Sequence, residues 1–412
     1  MKLLILYAYY RPEQAASSYL FENLEKAYVN SHINVEIYTP FPCRDIKDEI
    51  RNKYKNKKTE ILYDGQVTVH RFSMYKEGKN PFLRALRYFL CCCKHFHCGI
   101  RAENIDVMFL ASTPPIQGAL GALVKKWSKV PFVYNLQDIF PDSLTGTGLA
   151  KKGGILWRVG RIIENFTYKH ADKIIVISED FKRNIMAKGV PEEKIVVVYN
   201  WVDQNAVRNI DRKDNKLFDK YNLDRNKFYV TYCGNIGLTQ NMEMLVEVAK
   251  ALEANSDIHF VLIGNGAYLD ELKNRIKVMN ISNVTLLPFQ PYEDISHVFS
   301  LGDVGIIISK PGVGENSVPS KTWSIMSASR PVLANFDENE IKTILSMNEC
   351  GVFTKAGDKQ AFTDAILELY HNREMCRKYG ENGRKFVMEN LTREIGTQKY
   401  VDVIRSVAKQ KC

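Results

Sequence analysis

Short, fully apolar runs recur along the chain, separated by segments whose apolar residues return every three or four positions. Runs of this kind are strands buried on both faces of a parallel sheet, and the intervening periods are the helices that cover it. In the first half the pattern predicts strands over Leu3–Tyr7, Val35–Tyr38, Val67–Phe72, Asp106–Ala111, Phe132–Leu136, Lys173–Ile177 and Ile195–Tyr199. Helices fall between them, among them Ile116–Trp127, Ile155–His170 and Glu179–Ala187. The segment 44–60, rich in Lys, Arg, Asn and Glu, reads as a basic surface loop. Residues 201–226 are the most polar junction and predict a linker. The alternation then restarts, with strands over Phe228–Tyr232, Ile258–Ile263, Val284–Leu287, Val304–Ile308, Val332–Ala334 and Gly351–Phe353. Helices are expected over Asn241–Ala254, Tyr292–Leu301 and Glu394–Lys409. Strand–helix alternation throughout implies two doubly wound, Rossmann-like α/β domains facing each other across a cleft. The division is 1–203, 204–390, and a last helical segment, 391–412, long enough to return to the first domain.

The chemistry concentrates where the second set of strands ends. After Val304–Ile308 comes a loop with Gly312, Gly314 and Glu315, and then Pro319, Ser320 and Lys321 open a helix. Pro and Ser at a helix start leave backbone N–H groups free, and the helix end is electropositive. Lys321 adds a cation and Glu315 a carboxylate for sugar hydroxyls, a set suited to a sugar diphosphate. The alternative is an ordinary loop whose lysine faces solvent. Gly234-Asn235-Ile236-Gly237 also follows a strand and precedes a helix, so its glycines let the backbone approach a phosphate, with Asn235 and Gln240 as neutral donors. Pro288-Phe289-Gln290-Pro291, at another strand end, is a rigid loop able to hold a nucleobase edge, or simply a rigid loop. Asp138 follows Phe132–Leu136, where open sheets bind ligands; it is either a carboxylate for a sugar hydroxyl or a helix N-cap.

Charge narrows the partners. The chain carries 57 Lys and Arg against 47 Asp and Glu, and residues 1–200 hold 30 and 20 of them, leaving 27 of each beyond. All the basic excess therefore lies in the first half, which suggests a polyanionic or membrane-surface partner there. Helix 81–97 sets Phe82, Leu86, Phe89, Leu90 and Cys93 on one face with Arg84, Arg87 and Lys94 at its edge; it fits an anionic membrane surface, or a core helix with snorkelling arginines. No apolar stretch approaches the roughly 18 residues a membrane span needs. The nine cysteines show no paired metal spacing, and their odd number, with Met1-Lys2 running straight into a strand, predicts a reducing cytoplasm. The eight histidines are isolated and read as structural, and no Walker loop, G-x-S-x-G or H-E-x-x-H occurs.

Together, the YYRPE loop at residues 9–13, Ser112-Thr113-Pro114-Pro115, Asp138 with Pro141-Asp142, and Val176-Ile177-Ser178 carry a resemblance. It continues through Asn200-Trp201-Val202-Asp203, Gly234-Asn235-Ile236-Gly237 with Gln240, Pro288-Phe289-Gln290-Pro291 and Val318-Pro319-Ser320-Lys321. The chain resembles the GT-B retaining glycosyltransferases of family 4 over nearly its whole length. It is similar above all to the bacterial O-antigen and capsule branch that handles N-acetylfucosamine-type sugars. It departs from the wider family pattern: Asn235 and Gln240 stand where Arg and Lys meet the diphosphate, Asn316 and Ser324 replace a glutamate pair, and Ser329 replaces a glycine.

The resemblance implies sugar transfer with retention from a nucleoside-diphosphate sugar, UDP foremost, to a polyprenyl-diphosphate-linked or saccharide acceptor. Asp138, Glu315 and Lys321 would be the catalytic residues, Asp138 positioning the acceptor. Gly234, Asn235, Gly237, Gln240, Phe289, Gln290 and Ser320 would bind the donor. No metal or other cofactor is expected, and no nucleic-acid partner. The protein would sit at the cytoplasmic face of the cell membrane as a peripheral enzyme. A UDP-sugar 2-epimerase on the same architecture and a catalytically silent paralogue are the alternatives.

Overall fold

The apolar runs pair side by side into two separate sheets. A computed structural model describes residues 1–13, 18–44, 46–78, 80–143, 151–314 and 318–409. One unit comprises Met1–Tyr199 with the chain from Glu394 onward, the other Asn200–Arg393.

The first unit contains β1 (Lys2–Leu6), β2 (Asn34–Pro40), β3 (Thr59–Leu62), β4 (Val67–Phe72), β5 (Val107–Ala111), β6 (Phe132–Leu136), β7 (Lys173–Val176) and β8 (Ile195–Val197). Their order is β3-β4-β2-β1-β5-β6-β7-β8. Every pairing is parallel except that of β3 with β4. Strand order reverses direction between β1 and β5, so the crevice for a ligand opens at their carboxyl ends. Leu4, Leu6, Met108, Leu110, Phe132 and Ile174 form the core under the helices. Asn80 starts the helix Pro81–Arg101 by accepting from the amides of Phe82 and Leu83, at 2.9 and 3.2 Å. The final helix, Arg393–Lys409, buries Tyr400, whose hydroxyl donates to Asn135 Oδ1 at 2.9 Å while its ring meets Phe109 edge-on.

The second unit contains β9 (Phe228–Asn235), β10 (Ile258–Asn265), β11 (Val284–Leu287), β12 (Val304–Ile308), β13 (Val332–Phe336) and β14 (Gly351–Lys355). All are parallel, in the order β11-β10-β9-β12-β13-β14, so this sheet switches direction between β9 and β12.

Three expectations are corrected. Segment 44–60 is not a loop: it contains the helix Asp48–Lys55 and the edge strand β3. The proposed linker is a strap of the second unit. Trp201, Val207, Leu217 and Phe218 are buried, the amides of Arg208 and Ile210 donate to Ser296 and Ser300, and Arg384 donates to the carbonyls of Gln204, Val207 and Ser327. The helix expected over Tyr292–Leu301 is a 3₁₀ turn, Tyr292–Asp294, followed by the short helix Ile295–Phe299.

Candidate functional site

At the β9–β12 switch point of the second unit lies a cavity of about 360 Å³, within the range of small-ligand sites. Its wall includes Tyr232 from β9, Thr239 and Gln240 from the following turn, Ser309 after β12, and Ser320 and Lys321 at the next helix. The fold thus brings together Gln240, Ser320 and Lys321, residues separated by some eighty positions in sequence.

Lys321 is the centre of this arrangement. Its ammonium donates to the Tyr232 hydroxyl at 3.1 Å and lies 4.8 Å from the centre of the Tyr232 ring. Among the described residues it has no ion-pair partner. Burial pushes its pKa below the usual lysine value, and only the Cys233 thiol opposes that shift. Gly234 explains how the long side chain fits: a Cβ there would stand 2.1 Å from Lys321 Cε and 2.4 Å from Nζ. With φ at 141°, Gly234 also holds a conformation other residues rarely adopt.

Gly234 and Asn235 belong to β9 rather than to a loop, aligned with Gly264 and Asn265 of β10. The helix that follows starts only at Met242. The Gly237 amide is not free for a ligand, since it donates to Gln240 Oε1 at 3.1 Å. The helix at Lys321 is short, Lys321–Ser327, and Ser320 is its exposed cap. The expected pair of open helix ends is therefore replaced by one cation and a set of neutral groups. Phe289 and Gln290 lie beyond the end of β11, at the sheet edge. Phe289 is exposed, Gln290 bonds Lys220 and Tyr221, and neither lines the cavity. Glu315 lies outside the described residues.

Sequence reasoning missed three contributors. Tyr232 was hidden inside an apolar strand. Asp337 accepts from the amides of Gly312 and Gly314, at 3.0 and 2.7 Å, and so fixes the loop after β12. Ser309 is buried at the cavity wall, and its hydroxyl has no partner among the described residues. No local motif marks any of them.

In the first unit, a smaller cavity of about 100 Å³ sits at the β1–β5 switch point, lined by Tyr7, Tyr9, Tyr10, Arg11, Arg44 and Gln137 among others. Asp138 follows Gln137. Protein packing raises its carboxyl pKa above the usual range, against hydrogen bonds from Ser143 and the Ile139 backbone. The YYRPE loop is locked from behind: Tyr9 donates to Glu77 at 2.5 Å, and Glu13 accepts from the amides of Cys43 and Arg44 at 2.8 and 2.7 Å.

Two parallel α/β units, each with a ligand crevice at its switch point, are the two halves of a GT-B fold. The fold matches the crystal structure of Anabaena Alr3699/HepE in complex with UDP, with a TM-score of 0.74 at 17% identity, over 98% of this chain and 100% of that one. Residues 18–201 match the family described as glycosyl transferase 4-like domain, and residues 213–386 match glycosyl transferases group 1. The protein is a glycosyltransferase, with one of these domains in each half. Among its relatives, the probable glycosyltransferase WbjE of Pseudomonas aeruginosa is 24% identical over 75% of this chain and 77% of its own. The putative colanic acid biosynthesis glycosyl transferase WcaI of Escherichia coli is 26% identical over 50% of this chain and 51% of its own.

A partly desolvated ammonium such as Lys321, with no counter-charge among the described residues, costs stability until an anion arrives. That cost is complete below the depressed pKa of Lys321 and fades as pH rises from there to the ordinary 10.5. Lys321→Met should therefore raise the Tm of the unliganded protein while weakening UDP binding by roughly 10- to 100-fold, the value of a charged hydrogen bond. Calorimetry and thermal melts on the same samples check both; a Tm that falls, or unchanged UDP affinity, contradicts the assignment.

Proposed function

We propose that the protein transfers a sugar, with retention of configuration, from a UDP-sugar to a lipid-linked saccharide acceptor in cell-surface polysaccharide synthesis. The observation that carries this reading is Lys321, a half-buried cation without an anionic partner among the described residues, set in a crevice of about 360 Å³. A diphosphate supplies the missing charge. The same contact stabilises the departing nucleoside diphosphate, whose charge grows as the sugar bond breaks, and a fixed ammonium needs no reorganisation to do so. UDP is the nucleotide bound by the HepE neighbour, WcaI is named for colanic acid biosynthesis, and a Staphylococcus aureus relative, CapM, is named for capsular polysaccharide biosynthesis. In this reading Gly234, Asn235, Gly237, Gln240 and Ser320 shape the donor site, Phe289 and Gln290 lie towards the base, and Glu315 meets the sugar. No resident metal is invoked, because Lys321 supplies the compensating charge.

The acceptor belongs to the first unit. Its cavity offers the faces of Tyr7, Tyr9 and Tyr10 for a sugar ring, and Asp138, next in sequence to the lining residue Gln137, would orient the acceptor hydroxyl. A panel of UDP-, GDP- and dTDP-sugars with lipid-linked acceptors tests the whole reading. Acceptor-dependent UDP release, retained anomeric configuration and indifference to chelators are expected. Epimerisation of a UDP-sugar, or no reaction with any donor, contradicts it.

The lipid end of the acceptor points to the membrane surface as a partner. No helix among the described residues is long and apolar enough to cross a bilayer. Yet the helix Pro81–Arg101 exposes Phe82, Leu83, Leu86 and Phe89, and Ile155–His170 exposes Ile155, Leu156 and Ile162. The helix Gln117–Ser128, which exposes Trp127, packs against both. Arg84, Lys126, Arg158 and Arg161 lie on the same helices, so the charge complements anionic headgroups. The purified protein should bind anionic vesicles in a salt-sensitive way and neutral vesicles weakly. Equal binding to both excludes this docking mode.

A further inference from the structure

A carboxylate that holds a lysine in place also competes for its charge. Here the holding group is neutral. The Tyr232 hydroxyl donates its proton to the Asn235 carbonyl at 2.6 Å, which turns its oxygen lone pairs towards the Lys321 ammonium 3.1 Å away. The ring of the same residue faces that ammonium at 4.8 Å. Gly234 removes the Cβ that would occupy the same space. Tyr232 is itself buried, so its ring cannot swing aside, and its place near the end of β9 is fixed by pairing with β10.

From this geometry we propose that Tyr232 is a positioning residue: it aims the Lys321 ammonium into the donor crevice by a hydrogen bond and a cation–π contact, without neutralising it. The inference rests on the donor reading above and names the residue that makes it work. A carboxylate in this position would have to release its lysine before each diphosphate bound, whereas a phenol and a ring face leave the full charge available. The same contacts hold the Lys321 ammonium in place in the empty enzyme, so that binding does not have to order a flexible lysine. The titratable groups described against Lys321 are Tyr232 and Cys233, both on β9.

Tyr232→Phe removes the hydrogen bond and retains the ring; Tyr232→Leu removes both. UDP affinity should fall about 5- to 20-fold in the first and further in the second, a range set by one lost hydrogen bond. Uridine, which lacks the diphosphate, should bind all proteins alike. The decisive readout is a double-mutant cycle with Lys321→Met: once the ammonium is gone, Tyr232→Phe should change UDP affinity no further. The alkaline limb of UDP binding should also move to lower pH in Tyr232→Phe, because the ammonium has lost a partner that favours its charged form. A purely structural tyrosine would instead give additive effects in the cycle, equal losses for UDP and uridine, and an unmoved alkaline limb. Any of these overturns the positioning role. If UDP binds wild type and Lys321→Met equally, the donor reading itself is wrong, whatever Tyr232→Phe does.

Discussion

A half-buried lysine ammonium, with no anion beside it among the described residues, is the constraint around which the second unit is arranged. Such a group is tolerated only where neighbouring atoms can share its charge without cancelling it. Three features of the sequence meet that demand in one place. Gly234 leaves room for the side chain, Tyr232 offers an oxygen and a ring face, and the strand reversal between β9 and β12 opens a crevice above them. In the proposed reading, the stability forgone in the empty enzyme would be returned when a diphosphate binds.

The remainder of the second unit keeps this arrangement rigid. The Lys310 amide donates to the Thr239 carbonyl at 2.8 Å and ties the end of β12 to the turn after β9. Asp337 holds the loop at Gly312 and Gly314, and the strap after Asn200 is pinned by Ser296, Ser300 and Arg384. In the first unit the logic is the reverse. Its cavity sets Tyr7, Tyr9 and Tyr10 among charged residues of both signs, with the Tyr9 and Tyr10 hydroxyls satisfied by Glu77 and Glu25.

Central strands were legible because a parallel sheet buried on both faces demands a mostly apolar run, and β6 and β12 agree with that pattern to the residue; β4 and β11 also match to the residue, β4 by alternating buried and half-buried positions. The failures share a cause. The helix Asp48–Lys55 buries no residue, and β3 is an exposed edge, so neither needs apolar periodicity. The strap after Asn200 is anchored by a few widely spaced apolar residues amid polar ones, which composition reads as a linker. Strands β9 and β10 run past their apolar segments because Gly234-Asn235 and Gly264-Asn265 continue the ladder through backbone bonds alone. Within the site, Lys321, Ser320 and Gln240 were legible from turn chemistry. Tyr232 was not, because it looks like any other aromatic residue of a buried strand, and its role depends on a partner 89 positions away.

The central claim is that Lys321 is held charged but uncompensated until a diphosphate reaches it. Calorimetry of UDP binding in buffers of different ionisation enthalpy measures the protons exchanged on binding. A lysine whose pKa is lowered in the empty crevice and restored by an anion must take up protons on the alkaline side of neutrality, and Lys321→Met must abolish that uptake. UDP binding with no proton uptake there, or the same uptake in Lys321→Met, would contradict the account.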